Sequence, residues 1–287
     1  MNIEPRIAHL RALLTEKTLD AVLITKEENV CYFSGFRGDS TALIITCERL
    51  LLVTDSRYTE QAAAEAPSYE IVEQRDGLDR KIAEIAAACS ISALGFEGSV
   101  LSYDRCGRLR GLLEEISFDA SLNLDPLRQV KDADEIMRIR RACEIADAAF
   151  AHIITYIEPG MTEMDVAAEM EHFMRRAGSE RPAFQTIVAS GVRGSLPHGT
   201  ASRKRIQRGE LVTMDFGAVC DGYHSDITRT ICVGHADARQ REIYDAVLSA
   251  QQRALAGIRP GAAGAEIDRI ARDALREKNL EQYFGHG

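Results

Sequence analysis

No long apolar run, no excess of basic residues and no paired cysteine motif occur in this 287-residue sequence, and each absence removes a class of protein. The apolar runs all fall short of the ~20 residues needed to cross a bilayer, so no spanning helix is expected. The N-terminus has no signal-peptide pattern, because Glu4, Arg6, His9 and Arg11 interrupt any apolar core there. A net charge of −9 argues against a nucleic-acid-binding surface. The seven cysteines are scattered, odd in number and without a CxxC pair, which excludes a disulfide framework and a structural zinc site. They read as small buried hydrophobes in a reducing, cytoplasmic protein. No Gly-rich loop follows an expected strand, so a nucleotide site is unsupported. Asp215-Phe216-Gly217 spells a kinase metal-binding triplet, but no HRD segment accompanies it.

What is present divides in two. From the N-terminus, a helix over 4–18 precedes apolar β runs at 21–25, 41–46 and 49–54. Helices at 57–66, 77–89 and 103–115 alternate with strands at 69–73 and 93–97. This alternation predicts an α/β domain with a mixed sheet over residues 1–128. Residues 29–38 read as an aromatic loop, and 123–130, containing Pro126, as a linker. His9 reads as a surface helix residue.

A long helix with apolar residues at 3.6-residue spacing then begins at Asp132, with Asp132 or Asp134 as its cap. It stops at Pro159-Gly160. The segment Ile157-Glu158-Pro159-Gly160 recurs as Ile258-Arg259-Pro260-Gly261. Both copies lie between a long amphipathic helix and a shorter one, so residues 131–287 read as a duplicated αβ unit. Repeat arithmetic would end the second copy at about residue 335, roughly fifty residues beyond Gly287. The expectation is therefore a domain incomplete at its C-terminus, inactive or weakly active alone.

Residues 211–234, LVTMDFGAVCDGYHSDITRTICVG, have the pattern of a β-hairpin. Centring the hairpin between Cys220 and Asp221 sets Asp215 directly opposite Asp226. Opposed carboxylates destabilise a sheet unless a cation lies between them, and an inward unpaired carboxylate is costly. Carboxylates suit Mn, Mg or Zn, so the pair is either a metal site or two turn and surface residues. Thr228, two residues beyond Asp226, shares its face of the strand and reads either as a support for the site or as simple β-propensity.

The segments PAFQTIVASGVRGSLPHG, MDFGAVCDGYHSDITRT and the terminal YFGHG resemble the pita-bread metallopeptidases, the group of Xaa-Pro aminopeptidases, prolidases and methionine aminopeptidases. The segments DAVLITKEENVCYFSGFRG and LLLVTDSRYTEQA resemble the creatinase-type N-terminal domain that accompanies Xaa-Pro peptidases. The resemblance implies two divalent metal ions, with Mn expected first and Co or Zn as alternatives, held by two Asp, one His and two Glu. Asp215 and Asp226 match the two Asp positions. His198 matches a histidine that contacts the substrate, and His286 is either a metal ligand or a substrate contact. The two glutamates would lie beyond Gly287.

The implied chemistry is metal-assisted hydrolysis of a peptide with proline at the second position. The leading expectation is an Xaa-Pro aminopeptidase, and the alternatives are an Xaa-Pro dipeptidase (prolidase) or a non-catalytic pita-bread binding protein. A metal-free creatinase-like hydrolase is disfavoured by the Asp pair. A homodimer is the expected assembly, with neither nucleic acid nor membrane as a partner.

Overall fold

The computed structural model describes residues 3–119 and 122–285, and these divide into two units, 1–138 and 139–287. In the first unit six strands form one sheet in the order β4-β3-β2-β1-β5-β6. They are β1 (Ala21–Ile24), β2 (Ala42–Thr46), β3 (Leu50–Thr54), β4 (Glu70–Glu73), β5 (Ala93–Phe96) and β6 (Ser117–Asp119). β1 pairs antiparallel with β2 and parallel with β5, so the sheet is mixed.

The near-continuous apolar runs follow from burial on both faces of the sheet. Val22, Ile24, Leu43 and Ile45 point to one side, where they pack with α1 (Glu4–Glu16) and α2 (Glu27–Ser34). Ala21, Leu23, Ala42 and Ile44 point to the other, against α4 (Leu78–Ala88) and α5 (Tyr103–Leu112). The short α3 (Thr59–Glu65) follows β3 and buries Ala62 on the first side.

α2 departs from the loop expected over 29–38. Tyr32 and Phe33 are poor helix formers, but Val30, Tyr32 and Phe33 are all buried in the core. Gly35 ends the helix in the left-handed conformation at φ 85°, which supplies the stop.

The long helix α6 (Ala133–Tyr156) starts on Asp132. The Asp132 carboxylate accepts from the Glu135 amide at 2.8 Å, and the Glu135 carboxylate accepts from the Asp132 amide at 2.9 Å. This reciprocal cap satisfies two amides that the helix leaves unpaired. Arg6, on α1, is buried beside it, 2.6 Å from Asp132 and 3.3 Å from Glu135.

In the second unit α6 and α7 (Glu163–Arg176) cover one face of a three-stranded antiparallel sheet in the order β11-β8-β7. Its strands are β7 (Ile187–Ser190), β8 (Leu211–Phe216) and β11 (Ile227–Cys232). β8 alternates, with Val212, Met214 and Phe216 buried against the helices. That leaves Thr213 and Asp215 on the opposite face. α8 (Ala238–Gly257) and α9 (Gly264–Arg276) pair through Ala246, Ala250, Ala274 and Leu275. Gly160 and Gly261, the two Pro-Gly glycines, take matching left-handed φ of 97° and 86°. Among the described residues no helix is long and apolar enough to cross a membrane.

Candidate metal and substrate site

The hairpin tip decides the site's geometry. The short strands β9 (Val219–Cys220) and β10 (Tyr223–His224) pair Tyr223 with Cys220, so the turn is Asp221-Gly222. Both turn residues take positive φ, 49° and 79°, as a two-residue type I′ hairpin requires and as an Asp-Gly pair accommodates. The register therefore differs from the expected one. Asp215 stands opposite Thr228, not Asp226.

This register exchanges a like-charge pair for a hydrogen bond. Thr228 Oγ1 donates to Asp215 Oδ1 at 3.0 Å. One step along the same face, Thr213 and Thr230 are also paired, their hydroxyl oxygens 3.1 Å apart. Asp226 lies just before β11, two residues from Thr228 and therefore on its side of the sheet.

The ladder is interrupted where Asp226 passes Gly217, and the chains approach so closely there that a Cβ at Gly217 would run into the Ser225 carbonyl. Ser225 is buried and anchored, donating to the Ala142 carbonyl at 3.0 Å and accepting from the Ala218 amide at 3.0 Å. The residue before Asp226 is thus fixed to α6.

The electrostatics of Asp215 report what surrounds it. Burial pushes its carboxyl above the usual carboxylate range, and the Thr228 hydrogen bond opposes this. The charge of Asp226 and a hydrogen bond to it push Asp215 up further, while the nearby His198 pulls it down. The structure thus brings Asp215, Asp226 and His198 together. His286 lies outside the described residues.

His198 reaches this place through the long connection between β7 and β8. Ile187 of β7 pairs with Asp215 on one side and bridges to Thr200 on the other. His198 is two residues from Thr200 in a tight turn, with the Thr200 amide donating to the His198 carbonyl at 2.8 Å. A row Thr200–Ile187–Asp215–Thr228 therefore runs across the sheet, with His198 at one end.

Among the described residues no group of three or more His, Cys, Asp or Glu stands together as a complete metal site. Asp215 and Asp226 fit part of one. They are hard oxygen donors, and both the burial and the Asp226 charge that raise Asp215 are what a divalent cation offsets.

Sequence reasoning missed Glu163, a wholly buried carboxylate that ties the connection carrying His198 to α7. Its only sequence signal is the preceding helix cap, where Thr162 and Asp165 form a reciprocal box.

The chain is thus an α/β domain followed by a helix-covered antiparallel sheet that carries an acidic pair. Residues 137–287 match the model of metallopeptidase family M24, and residues 6–130 match that of the creatinase/prolidase N-terminal domain. The chain belongs to metallopeptidase family M24, and its second unit is a pita-bread domain.

An Xaa-Pro dipeptidase of Pyrococcus furiosus is 39% identical over 296 residues, which cover 99% of this chain and 82% of that protein. The solved structure of an Xaa-Pro dipeptidase from Bacillus anthracis matches with a TM-score of 0.94 at 41% identity, over 99% of this chain and 80% of that one. An X-Pro aminopeptidase from Thermotoga maritima matches with a TM-score of 0.88 at 35% identity, over 96% and 78%.

Proposed function

We propose that this protein is a metal-dependent dipeptidase that hydrolyses the bond between a first residue and proline. The observation that carries the reading is the closeness of Asp226 to Asp215, with His198 near enough for its charge to act on the same carboxyl. The likeness to proteins named Xaa-Pro dipeptidases favours the dipeptide over longer substrates, in place of the aminopeptidase reading that the sequence put first. The aminopeptidase remains the second reading, supported by the fit to the Thermotoga maritima structure.

In this reading Asp215 and Asp226 hold divalent cations, two of them and Mn²⁺ first among the expected metals. When bound, such ions supply Lewis acidity toward the scissile carbonyl and lower the pKa of water. Thr228 orients the Asp215 carboxylate, leaving its second oxygen available to a ligand. His198 donates a hydrogen bond to the oxygen that becomes anionic as the carbonyl is attacked.

The deciding assay compares an Xaa-Pro dipeptide with an Xaa-Pro-Yaa tripeptide, with added Mn²⁺ and then with a chelator, using the natural gene product. Metal-dependent cleavage confined to the dipeptide is the expected result. Preference for the tripeptide would establish the aminopeptidase, and metal-free protein without turnover would leave a binding protein.

A further inference from the structure

Five donors converge on the carboxylate of Glu163. Its Oε1 accepts from the Ser190 amide and the Ser190 hydroxyl, both at 2.8 Å. Its Oε2 accepts from Arg193 Nε at 2.9 Å, the Ser202 amide at 3.1 Å and the Ser202 hydroxyl at 2.6 Å. Ser190 ends β7, and Ser202 lies beyond His198, so one side chain holds both ends of the segment 191–201.

Further bonds brace the same clasp. Arg193 also donates from Nη2 to the Thr200 carbonyl at 2.7 Å, which draws the segment's start toward its far end. Lys204 Nζ donates to Ser190 Oγ at 2.8 Å and to Glu210 at 2.7 Å. The α7 end is equally anchored, the Glu163 amide donating to the Lys204 carbonyl at 3.0 Å.

Only an ionised carboxylate satisfies this arrangement. Each oxygen receives at least one N–H that can only donate, from Ser190 at Oε1 and from Arg193 and Ser202 at Oε2, and an ionised carboxylate has no hydrogen of its own. A glutamine would turn an N–H₂ group toward donors, leaving them buried and unpaired.

We propose that Glu163 is the positioning residue for His198: its carboxylate closes the base of segment 191–201 and so fixes the imidazole beside Asp215. Apart from the clasp, the segment is tied to the sheet by the bridge from Thr200 to Ile187, and its other hydrogen bonds are largely internal. Val192, Leu196 and His198 are all exposed, and the tip contributes no buried apolar anchor apart from the close approach of Gly199 to Ala189. Without the clasp, His198 samples positions away from the sheet. Displacement of a positioned group by about 1 Å is enough to cost about 10²-fold in rate.

The inference rests on the proposed role of His198, and its test separates the two. In the natural gene product, Glu163→Gln is expected to lower kcat on an Xaa-Pro dipeptide by about 10²-fold, with KM changed less than about twofold and metal content unchanged. In a His198→Ala background the same substitution should cost less than about twofold, since the residue it positions is gone. Equal losses in both backgrounds would overturn the proposal.

Amide hydrogen exchange supplies an arm independent of turnover. Gly199 and Thr200 should exchange at least about tenfold faster in Glu163→Gln, while Val212 and Met214 in β8 keep their protection. Unchanged exchange at Gly199 and Thr200 overturns the clasp. If the unsubstituted protein cleaves no Xaa-Pro peptide, the functional reading fails while this arm still decides the clasp. Should Glu163→Gln fail to fold, Arg193→Met removes one donor and the hold on Thr200 but keeps the aliphatic stem. Its kcat is then expected to fall about tenfold, and a kcat equal to the unsubstituted protein's overturns the proposal.

Discussion

Thr228 faces Asp215 across the β8–β11 pair and donates a 3.0 Å hydrogen bond to it, so the acid is aimed by its cross-strand neighbour. Replacing Thr228 by valine keeps the β-branched shape and removes only the donor. Losing such an outer partner typically costs about 10–100-fold in metal affinity. The expected outcome is weakened Mn²⁺ binding in that range, measured by competition with a chelator, with a stability change of about 1 kcal/mol or less. Unaltered affinity would detach the hydroxyl from the site.

Asp226→Asn removes one negative charge from the pair and retains the side chain's shape. If Asp226 is a ligand, turnover should fall by more than the ~10²-fold expected of an outer partner, with bound metal lost in parallel. The melting temperature of the metal-free protein should hold or rise, because the repulsion that raises Asp215 is relieved. Near-normal kcat in this variant would exclude a metal-binding role.

Glu163 should also shape the acid limb of the stability curve. Burial pushes its carboxyl up, but hydrogen bonds from Ser202 and Ser190 outweigh burial and hold it below the usual range. A depressed folded-state pKa means that the unfolded chain binds the proton first. The stabilisation is therefore whole above the unfolded value of about 4.3 and is lost as pH falls through the folded one. Unfolding free energies from urea denaturation of the native protein and Glu163→Gln should differ by on the order of 3 kcal/mol near pH 7, and the gap should close as pH falls below about 4.3. A gap independent of pH would show that the charge is not what the donors require.

The N-terminal unit makes a separate prediction about where it can be cut. A fragment ending at residue 128, the boundary expected from the linker, strips the buried Arg6 of Asp132 and Glu135, whereas one ending at 138 keeps both. Breaking a buried ion pair by removing partners costs on the order of 3 kcal/mol. We expect the longer fragment to be more stable by that amount in urea denaturation. Equal midpoints would make the Arg6 cluster incidental.

The alternation of strands and helices in the first unit, the hairpin and the paired long helices of the second were all readable from periodicity, and the structure has them. The family was readable from the segments around Asp215, Asp226 and His198, and the match over 137–287 agrees. The expected register is off because it centres the turn between Cys220 and Asp221, one residue too early. The Asp221-Gly222 dipeptide, which favours two successive positive φ angles, held the correct answer. α2 was misread because its helicity comes from burying Phe33 and its neighbours, a tertiary effect invisible to local propensity. Glu163 was out of reach for a similar reason, since its partners stand 27, 30 and 39 residues away in sequence.

The duplicated helix pairs have not stayed equivalent. The first copy follows its Pro-Gly turn with Thr162 and Glu163, while the second has Ala263 and Gly264 at the same positions. Accordingly α7 begins on a side-chain cap and α9 has none. The hinge has been kept and the residue that bears the load has not. The two repeats therefore differ in role: one carries a keystone at the position where the other has no side chain at all. Grafting Thr-Glu onto 263–264 should accordingly reinforce the helix start without creating a second clasp.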